Sequence, residues 1–216
     1  MDPLRLSLAL GPVAAYLLLL GAINLSRRPF AVSGTRDTAT LAMAVAGLIV
    51  VGPVELFFPE TAAMQYGHYI WALILAMYAL LTVLIVLLMR PRMVIYNITV
   101  DQLRPILADV VDRLDPRARW AGDSLVLPGL GVQLYLDSLA SVRNVSLVSA
   151  GRNQSYTGWR RLEQTLAPAL GRLEVPRNPQ AASLLSVGSL IVVAVVFAIA
   201  RDPQAVAQAL LDMLNF

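Results

Sequence analysis

The chain has 216 residues, of which 57% are hydrophobic and only 14% are charged, and its formal net charge is +3. A soluble domain carries charge on about 25% of its residues, so this composition predicts an integral membrane protein. Cysteine is absent, which excludes disulfides, thiolate metal sites and cysteine nucleophiles. All 17 basic residues are arginines. The exclusive use of arginine suggests a bacterial genome and, with the apolar composition, the bacterial inner membrane.

Four windows without charged residues can each hold, or nearly hold, the roughly 20 apolar residues of a transmembrane helix. They predict four helices, over residues 6–25, 38–58, 69–89 and 182–200. Small residues, including Gly47 and Gly188, recur in the second and fourth of these helices, and such residues let helices approach closely. We therefore expect residues 1–92 to hold three transmembrane helices and residues 178–200 to hold the fourth.

Helix two carries the one acidic residue predicted at membrane depth. Pro53 removes a backbone donor near the outer end of this helix and is expected to kink it. Glu55 follows, and an acid within a membrane is a candidate ion or proton site. The favoured alternative is that Glu55 lies among the lipid headgroups just beyond the kink, because Phe57 to Glu60 mark the exit from the bilayer.

The distribution of arginines predicts the sidedness of the protein. The loop after helix one is rich in arginine and helix three ends at two more, so both belong in the cytoplasm, whereas the connection between helices two and three contains acids and no basic residue. The predicted topology has the N-terminus outside, residues 93–177 in the cytoplasm and the C-terminus outside. Glycosylation sequons at Asn97, Asn144 and Asn153 would imply the opposite side, and we interpret them as coincidental.

Residues 93–177 have the pattern of a small α+β domain. A strand at 93–98 precedes a helix whose capping box is formed by Thr99 and Gln102. Further strands are predicted at 119–127, 132–136 and 144–149, and a second helix is predicted to begin near Ser155 or Thr157. The order β-α-β-β-β-α predicts a mixed or antiparallel sheet with both helices on one side, in a ferredoxin-like or related fold.

Residues 202–216 predict an amphipathic C-terminal helix, which begins with Asp202 as its N-cap and Pro203 in its first turn. Its polar face lacks basic residues, which is untypical of helices that bind anionic lipid. Three placements remain open for it, in order of preference: the outer leaflet, the helical bundle, or another subunit.

The sequence shows no catalytic, cofactor-binding or metal-binding constellation. The only histidine, His68, is predicted on the far side of the membrane from the soluble domain, so that domain lacks a Ser-His-Asp triad. Asp109, Asp112 and Asp115 are interpreted as the solvated face of a helix rather than as metal ligands. We therefore expect no cofactor and no small-molecule substrate.

Arginines near the ends of the predicted membrane helices are candidate contacts for lipid headgroups. They are Arg27, Arg28, Arg90, Arg92 and Arg177. A second candidate surface, for a partner or for lipid, consists of Trp159, Arg160 and Arg161 at the start of the last helix of the soluble domain. An ordinary solvated surface is the favoured interpretation of the positive charge, and nucleic acid is the least expected ligand.

Together these features predict a non-enzymatic membrane protein whose cytoplasmic α/β domain docks a protein partner or self-assembles at the membrane. The alternative is a channel or transporter subunit that uses the kinked helix two and Glu55. A membrane enzyme is the third and least expected class.

Overall fold

The computed structural model describes residues 3–54, 69–139 and 143–214. The protein is of mixed α/β type, with a six-stranded antiparallel sheet and several apolar helices. Its contacts divide it into two compact units. The helical unit covers the described parts of 1–19, 39–88 and 183–216, and the sheet unit covers those of 20–38 and 89–182.

The regular elements are numbered here in chain order. The helices are α1 (Pro3–Leu25), α2 (Gly34–Ile49), α3 (Tyr69–Leu88), α4 (Val100–Leu114), α5 (Tyr156–Gly171), α6 (Gln180–Arg201) and α7 (Pro203–Leu214). The strands are β1 (Phe30–Ser33), β2 (Arg92–Tyr96), β3 (Arg119–Ala121), β4 (Ser124–Leu127), β5 (Val132–Leu139) and β6 (Asn144–Ser149).

Three helical stretches among the described residues are long and apolar enough to cross a membrane. They are Pro3–Leu25, Gly34–Gly52 and Gln180–Arg201, with 23, 19 and 22 residues. A fourth apolar stretch, Ala72–Leu88 within α3, is shorter. The three long helices agree with the predicted membrane location.

Glycines bring the helices of the helical unit into close contact. A Cβ atom added at Gly47 of α2 would lie 1.9 Å from the carbonyl oxygen of Leu8 in α1. A Cβ atom added at Gly188 of α6 would lie 3.0 Å from the side chain of Leu18, also in α1. The close approach predicted from the small residues of helices two and four is therefore confirmed at these two positions.

Helix two changes its geometry where the sequence predicts a kink. The α-helical part begins at Gly34 and ends at Ile49, and a π-helical turn follows over Val50–Val54. Such turns disrupt the regular hydrogen-bond ladder of an α-helix, as a proline does. The predicted ion or proton site at Glu55 lies outside the described residues, as does His68.

The sheet of the sheet unit has the strand order β1-β2-β6-β5-β4-β3. All five pairings between neighbouring strands are antiparallel. Of the two predicted alternatives, a mixed or an antiparallel sheet, the structure shows the antiparallel one.

Helix α4 begins at the predicted capping box, in which the backbone N–H of Thr99 donates to Oε1 of Gln102 at 3.2 Å.

One hydrophobic core lies between a single face of this sheet and both of its helices. Alternate residues of β4 and β5 are fully buried, and the same cluster contains the apolar stripes of α4 and α5. Its most buried members include Ile95, Leu103, Leu107, Leu125, Leu134, Leu147, Leu162 and Leu166. The prediction that both helices cover one side of the sheet is confirmed.

The edge strand β1 is missing from the sequence-based prediction, which treated this segment as a cytoplasmic loop. Ala31 lies opposite Ile95 of β2, and Phe30 lies opposite Tyr96. The strand has only four residues, between Pro29 and the glycine that begins α2, and so few residues give no detectable alternation. The sheet unit therefore extends beyond the predicted range 93–177.

The prediction of a single strand over 119–127 is also wrong, because this segment forms the hairpin β3–β4. Ala121 pairs with Ser124, which leaves a two-residue loop. Gly122 in this loop has a φ of 62°, a value that glycine adopts without steric cost and that suits a tight hairpin.

The ferredoxin-like alternative is contradicted by the order of the elements. That plan has two strands between its helices and another strand after the second helix. Here four strands lie between α4 and α5, and α5 is followed by α6 with no strand in residues 172–179, all of which are described.

The last helix, α7, begins as predicted. Oδ1 of Asp202 accepts a hydrogen bond from the backbone N–H of Ala205 at 3.0 Å, so Asp202 is the N-cap. Its contact with lipid, bundle or subunit stays a prediction.

Candidate functional site

Two buried asparagines join the end of α1 to the segment that precedes α6. Nδ2 of Asn178 donates to Oδ1 of Asn24 at 2.9 Å, and the two residues are 3% and 4% exposed. Each asparagine also bonds to its own helix, Asn24 to the carbonyl of Leu20 and Asn178 to the backbone N–H of Gln180. This pair joins two distant segments of the sheet unit through a buried hydrogen bond between their side chains.

A backbone bond continues this contact. The N–H of Val175 donates to the carbonyl oxygen of Arg27 at 2.8 Å. Together with the asparagine pair, it makes residues 24–27 run antiparallel to residues 175–178. The short crossing of these two segments is called the polar junction below.

A third asparagine, Asn97, connects the sheet to this junction. Its Nδ2 donates to the carbonyl oxygen of Ser26 at 2.7 Å. Asn97 is completely buried and has a φ of 61°, in the left-handed region that asparagine tolerates better than most residues. The sequon that begins at Asn97 therefore carries a side chain that the folded protein uses internally, which agrees with our interpretation of that tripeptide as coincidental.

Asp37, just inside α2, binds two side chains of β2. Its Oδ1 accepts from the hydroxyl of Tyr96, and its Oδ2 lies 3.4 Å from Nη2 of Arg92. Nη2 of Arg92 also donates to Oγ1 of Thr38 at 3.2 Å. Because Arg92 is occupied by this ion pair, it is less suited to a lipid headgroup than the sequence suggests.

The other four arginines predicted to contact lipid are exposed. They are Arg27, Arg28, Arg90 and Arg177. All of them belong to the sheet unit. The bond between Val175 and Arg27 brings two of these arginines together in space, which the sequence does not reveal.

The predicted surface at the start of α5 needs a correction. Trp159 is only 7% exposed, belongs to the hydrophobic core, and donates its indole N–H to Oε1 of Gln154 at 2.8 Å. Trp159 therefore cannot form part of a partner or lipid surface. Arg160 and Arg161 are exposed and remain available for one.

A groove of about 490 Å³ lies between the outer faces of α4 and α5. Its lining combines apolar residues with two arginines and an acid, and includes Ile106, Asp109, Arg113, Thr165, Ala169 and Arg172. Nη2 of Arg113 donates to both carboxylate oxygens of Asp109, at 2.9 and 2.8 Å, so this acid is already neutralised within the groove. The groove is open to its surroundings, and its lining is mixed apolar and charged.

The described residues contain no cluster of three or more histidine or acidic side chains that could hold a metal ion. Asp115, interpreted from the sequence as solvated, is instead 3% exposed and accepts hydrogen bonds from the backbone N–H groups of Arg117 and Gly129. It therefore ends α4 and supports the loop after β4, a structural role.

The sequence-based reasoning missed the polar junction. Asn24 was visible as a polar residue within an apolar helix, but nothing in the sequence paired it with Asn178. Asn97 was visible only as part of a sequon. A buried asparagine resembles an exposed one in a single sequence, so only the fold distinguishes them.

A comparison with protein-family models, with curated proteins and with solved structures finds no match to this chain.

Proposed function

We propose that the protein is a non-enzymatic, membrane-anchored docking module. In this proposal α1, α2, α3 and α6 form four membrane spans, and the sheet unit presents the α4–α5 groove to a protein partner or to a second copy of the chain. The observation that carries the proposal is the groove itself, an open and polar-rimmed surface on a unit whose interior is filled by its own side chains.

The proposed topology places the N-terminus outside, the sheet unit in the cytoplasm and the C-terminus outside, because arginines concentrate in the sheet unit. The absence of cysteine makes this easy to test. Single cysteines at the exposed positions Ser138 and Gln204 should react with an impermeant thiol reagent from opposite sides of inner-membrane vesicles. Reaction of both from the same side would contradict the topology.

The row of α5 residues that lines the groove continues beyond it. Thr165, Pro168 and Arg172 lie in the groove, and Arg161 precedes Thr165 by four residues on the same helical face. Oγ1 of Thr165 donates to the carbonyl of Arg161, which confirms that one turn separates them. Arg161 therefore extends the groove with a positive charge, and with Arg172 it favours a partner that carries acidic residues.

A photo-crosslinking side chain at position 165 tests this proposal in intact membranes. We expect a discrete adduct whose mass identifies either a second copy of the chain or one other protein. Arg172→Glu should reduce the adduct by about tenfold, because it reverses a charge that the partner contacts. Arg119→Glu is the matched control, since Arg119 is also exposed but lies in the edge strand β3.

An adduct that survives Arg172→Glu, or that disappears equally in Arg119→Glu, would show that the groove does not select the partner. The absence of any discrete adduct at position 165 would sink the docking proposal.

One observation favours the second candidate function, a channel or transporter subunit. The π-helical turn at Val50–Val54 directly precedes Glu55 in sequence, and such turns are frequent at functional sites. This function predicts an ion or proton flux in proteoliposomes that Glu55→Gln abolishes. A flux that is absent, or unchanged in Glu55→Gln, removes this candidate.

A further inference from the structure

The polar junction places three arginines from distant parts of the chain at one corner of the sheet unit. Arg27 and Arg28 follow α1, and Arg177 precedes α6. The bond between Arg27 and Val175 fixes their register, and Arg177 lies only two residues beyond Val175, which is at most about 8 Å of chain. All three side chains are exposed.

A fourth arginine supports the same corner. Nη1 of Arg143 donates to the carbonyl oxygen of Pro176 at 3.0 Å, and its Nη2 donates to Oε1 of Gln102 at 3.2 Å. Arg143 thus holds the backbone directly before Arg177. We call Arg27, Arg28, Arg143 and Arg177 the arginine corner.

The arginine corner keeps an excess of positive charge. Glu174, which precedes Val175, is its one acidic neighbour along the two crossing segments, residues 24–28 and 174–178. Among the described residues, Arg27, Arg28 and Arg177 make no ion pair. Arg92 differs, since Asp37 already neutralises it. The positive charge of Arg27, Arg28 and Arg177 is therefore not neutralised by an ion pair among the described residues, and it would attract an anion.

The position of the corner in the chain indicates which anion. Arg27 and Arg28 lie two and three residues after the end of α1, and Arg177 lies three residues before the start of α6. Both helices are long and apolar enough to cross a membrane. Arginines at such helix ends lie at the depth of lipid headgroups, and a guanidinium group binds phosphate oxygens through paired N–H donors.

From this juxtaposition we infer that the arginine corner binds the phosphate group of an anionic phospholipid. Arg27, Arg28 and Arg177 contact the phosphate, and Arg143 acts as a positioning residue through Pro176. The site is separate from the α4–α5 groove, so it stands or falls independently of the proposed docking function.

Native mass spectrometry of the full chain in a neutral detergent tests the inference. The probes are dihexanoyl phosphatidylglycerol, the zwitterionic dihexanoyl phosphatidylcholine, and inorganic phosphate as a competitor. We expect phosphatidylglycerol to bind at least about tenfold more tightly than phosphatidylcholine, because only the former keeps an uncompensated negative charge. Inorganic phosphate at equal concentration should not displace it.

Two double variants that remove the same formal charge separate the corner from the overall charge of the protein. Arg27→Gln/Arg177→Gln should weaken the binding of phosphatidylglycerol by roughly 30-fold, since two contacts near the surface are lost. Arg117→Gln/Arg119→Gln changes exposed arginines at the beginning of β3, the opposite edge of the sheet, and should change the binding by less than about twofold.

Three results would overturn the inference: unchanged binding in Arg27→Gln/Arg177→Gln, an equal loss in the control variant, or equal affinity for the two lipids. Displacement of the lipid by an equal concentration of inorganic phosphate would assign the corner to free phosphate and overturn the lipid assignment. The comparison of the two lipids uses the wild-type chain, so it decides the question even where a variant fails to fold.

Discussion

Leucine side chains are mostly buried in the sheet unit and mostly exposed in the helical unit. In the sheet unit, Leu103, Leu107 and Leu134 are completely buried by the chain itself. In the helical unit, Leu80 of α3 is 69% exposed and Leu87 is 73% exposed. Leucine therefore marks an interior in one unit and an outer surface in the other, and the difference lies in what surrounds it.

This contrast teaches how each unit is stabilised. In the sheet unit, leucines leave water when they pack against one another, so the hydrophobic effect stabilises the fold directly. In the helical unit, the lipid that we propose surrounds it is as apolar as leucine, so stability should depend on close helix contacts such as the one at Gly47. Equal substitutions should therefore have unequal effects in the two units.

The largest expected effect comes from matched leucine substitutions. Leu107→Ala should lower the free energy of unfolding by about 3 to 4 kcal/mol, because it leaves a cavity in a closed core. Leu80→Ala should cost less than about 1 kcal/mol, since detergent or lipid fills the space. Denaturant titrations in detergent, followed by tryptophan fluorescence and circular dichroism, measure both. Equal losses would show that α3 packs against protein at Leu80.

A smaller loss of stability is expected from substitution of Asn97, a polar residue that is completely buried. Asn97→Ala removes the bond to Ser26 and places alanine at a positive φ, so the free energy of unfolding should fall by about 2 to 3 kcal/mol. Asn97→Gly loses the same bond without the backbone penalty and should be about 1 kcal/mol less destabilised. The same titration measures both variants. Identical losses would mean that the backbone conformation contributes nothing.

The smallest effect concerns the pair Asn24 and Asn178. A double-mutant cycle with alanine at each position should give a coupling energy of about 1 kcal/mol, the contribution of one buried neutral hydrogen bond. The cycle cancels the separate bonds of each asparagine to its own helix. A coupling energy near zero would show that the two amides do not depend on each other.

Periodicity explains which parts of the fold the sequence could predict. The stripe of α4, with Leu103, Leu107 and Val110, repeats often enough to predict a buried helical face, and β5 alternates clearly. The edge strand β1 has four residues and no such repeat, and it pairs with a strand far along the chain. The tight turn at Gly122 was hidden within an apparently continuous strand.

The candidate sites were less predictable than the fold, for a related reason. Charge and position predicted Arg27, Arg28 and Arg177 as residues near the membrane, but only the bond between Arg27 and Val175 shows that their chain segments meet. Trp159 beside two arginines resembled a surface motif, and its burial depends on the packing of α5 against the sheet. The meeting of distant segments is a tertiary property, which a single sequence does not record.

The edge strand β1 also has a consequence for how the protein is made. It leaves the ribosome before α2 and α3, whereas its partner β2 follows them. The pairing of β1 with β2 can therefore form only after two apolar helices have been synthesised. The sheet is completed later than its first strand is made. A fragment that begins at β2 would lack β1 and would leave β2 as an open edge of the sheet, so a fragment with the complete sheet needs residues 30–33 as well.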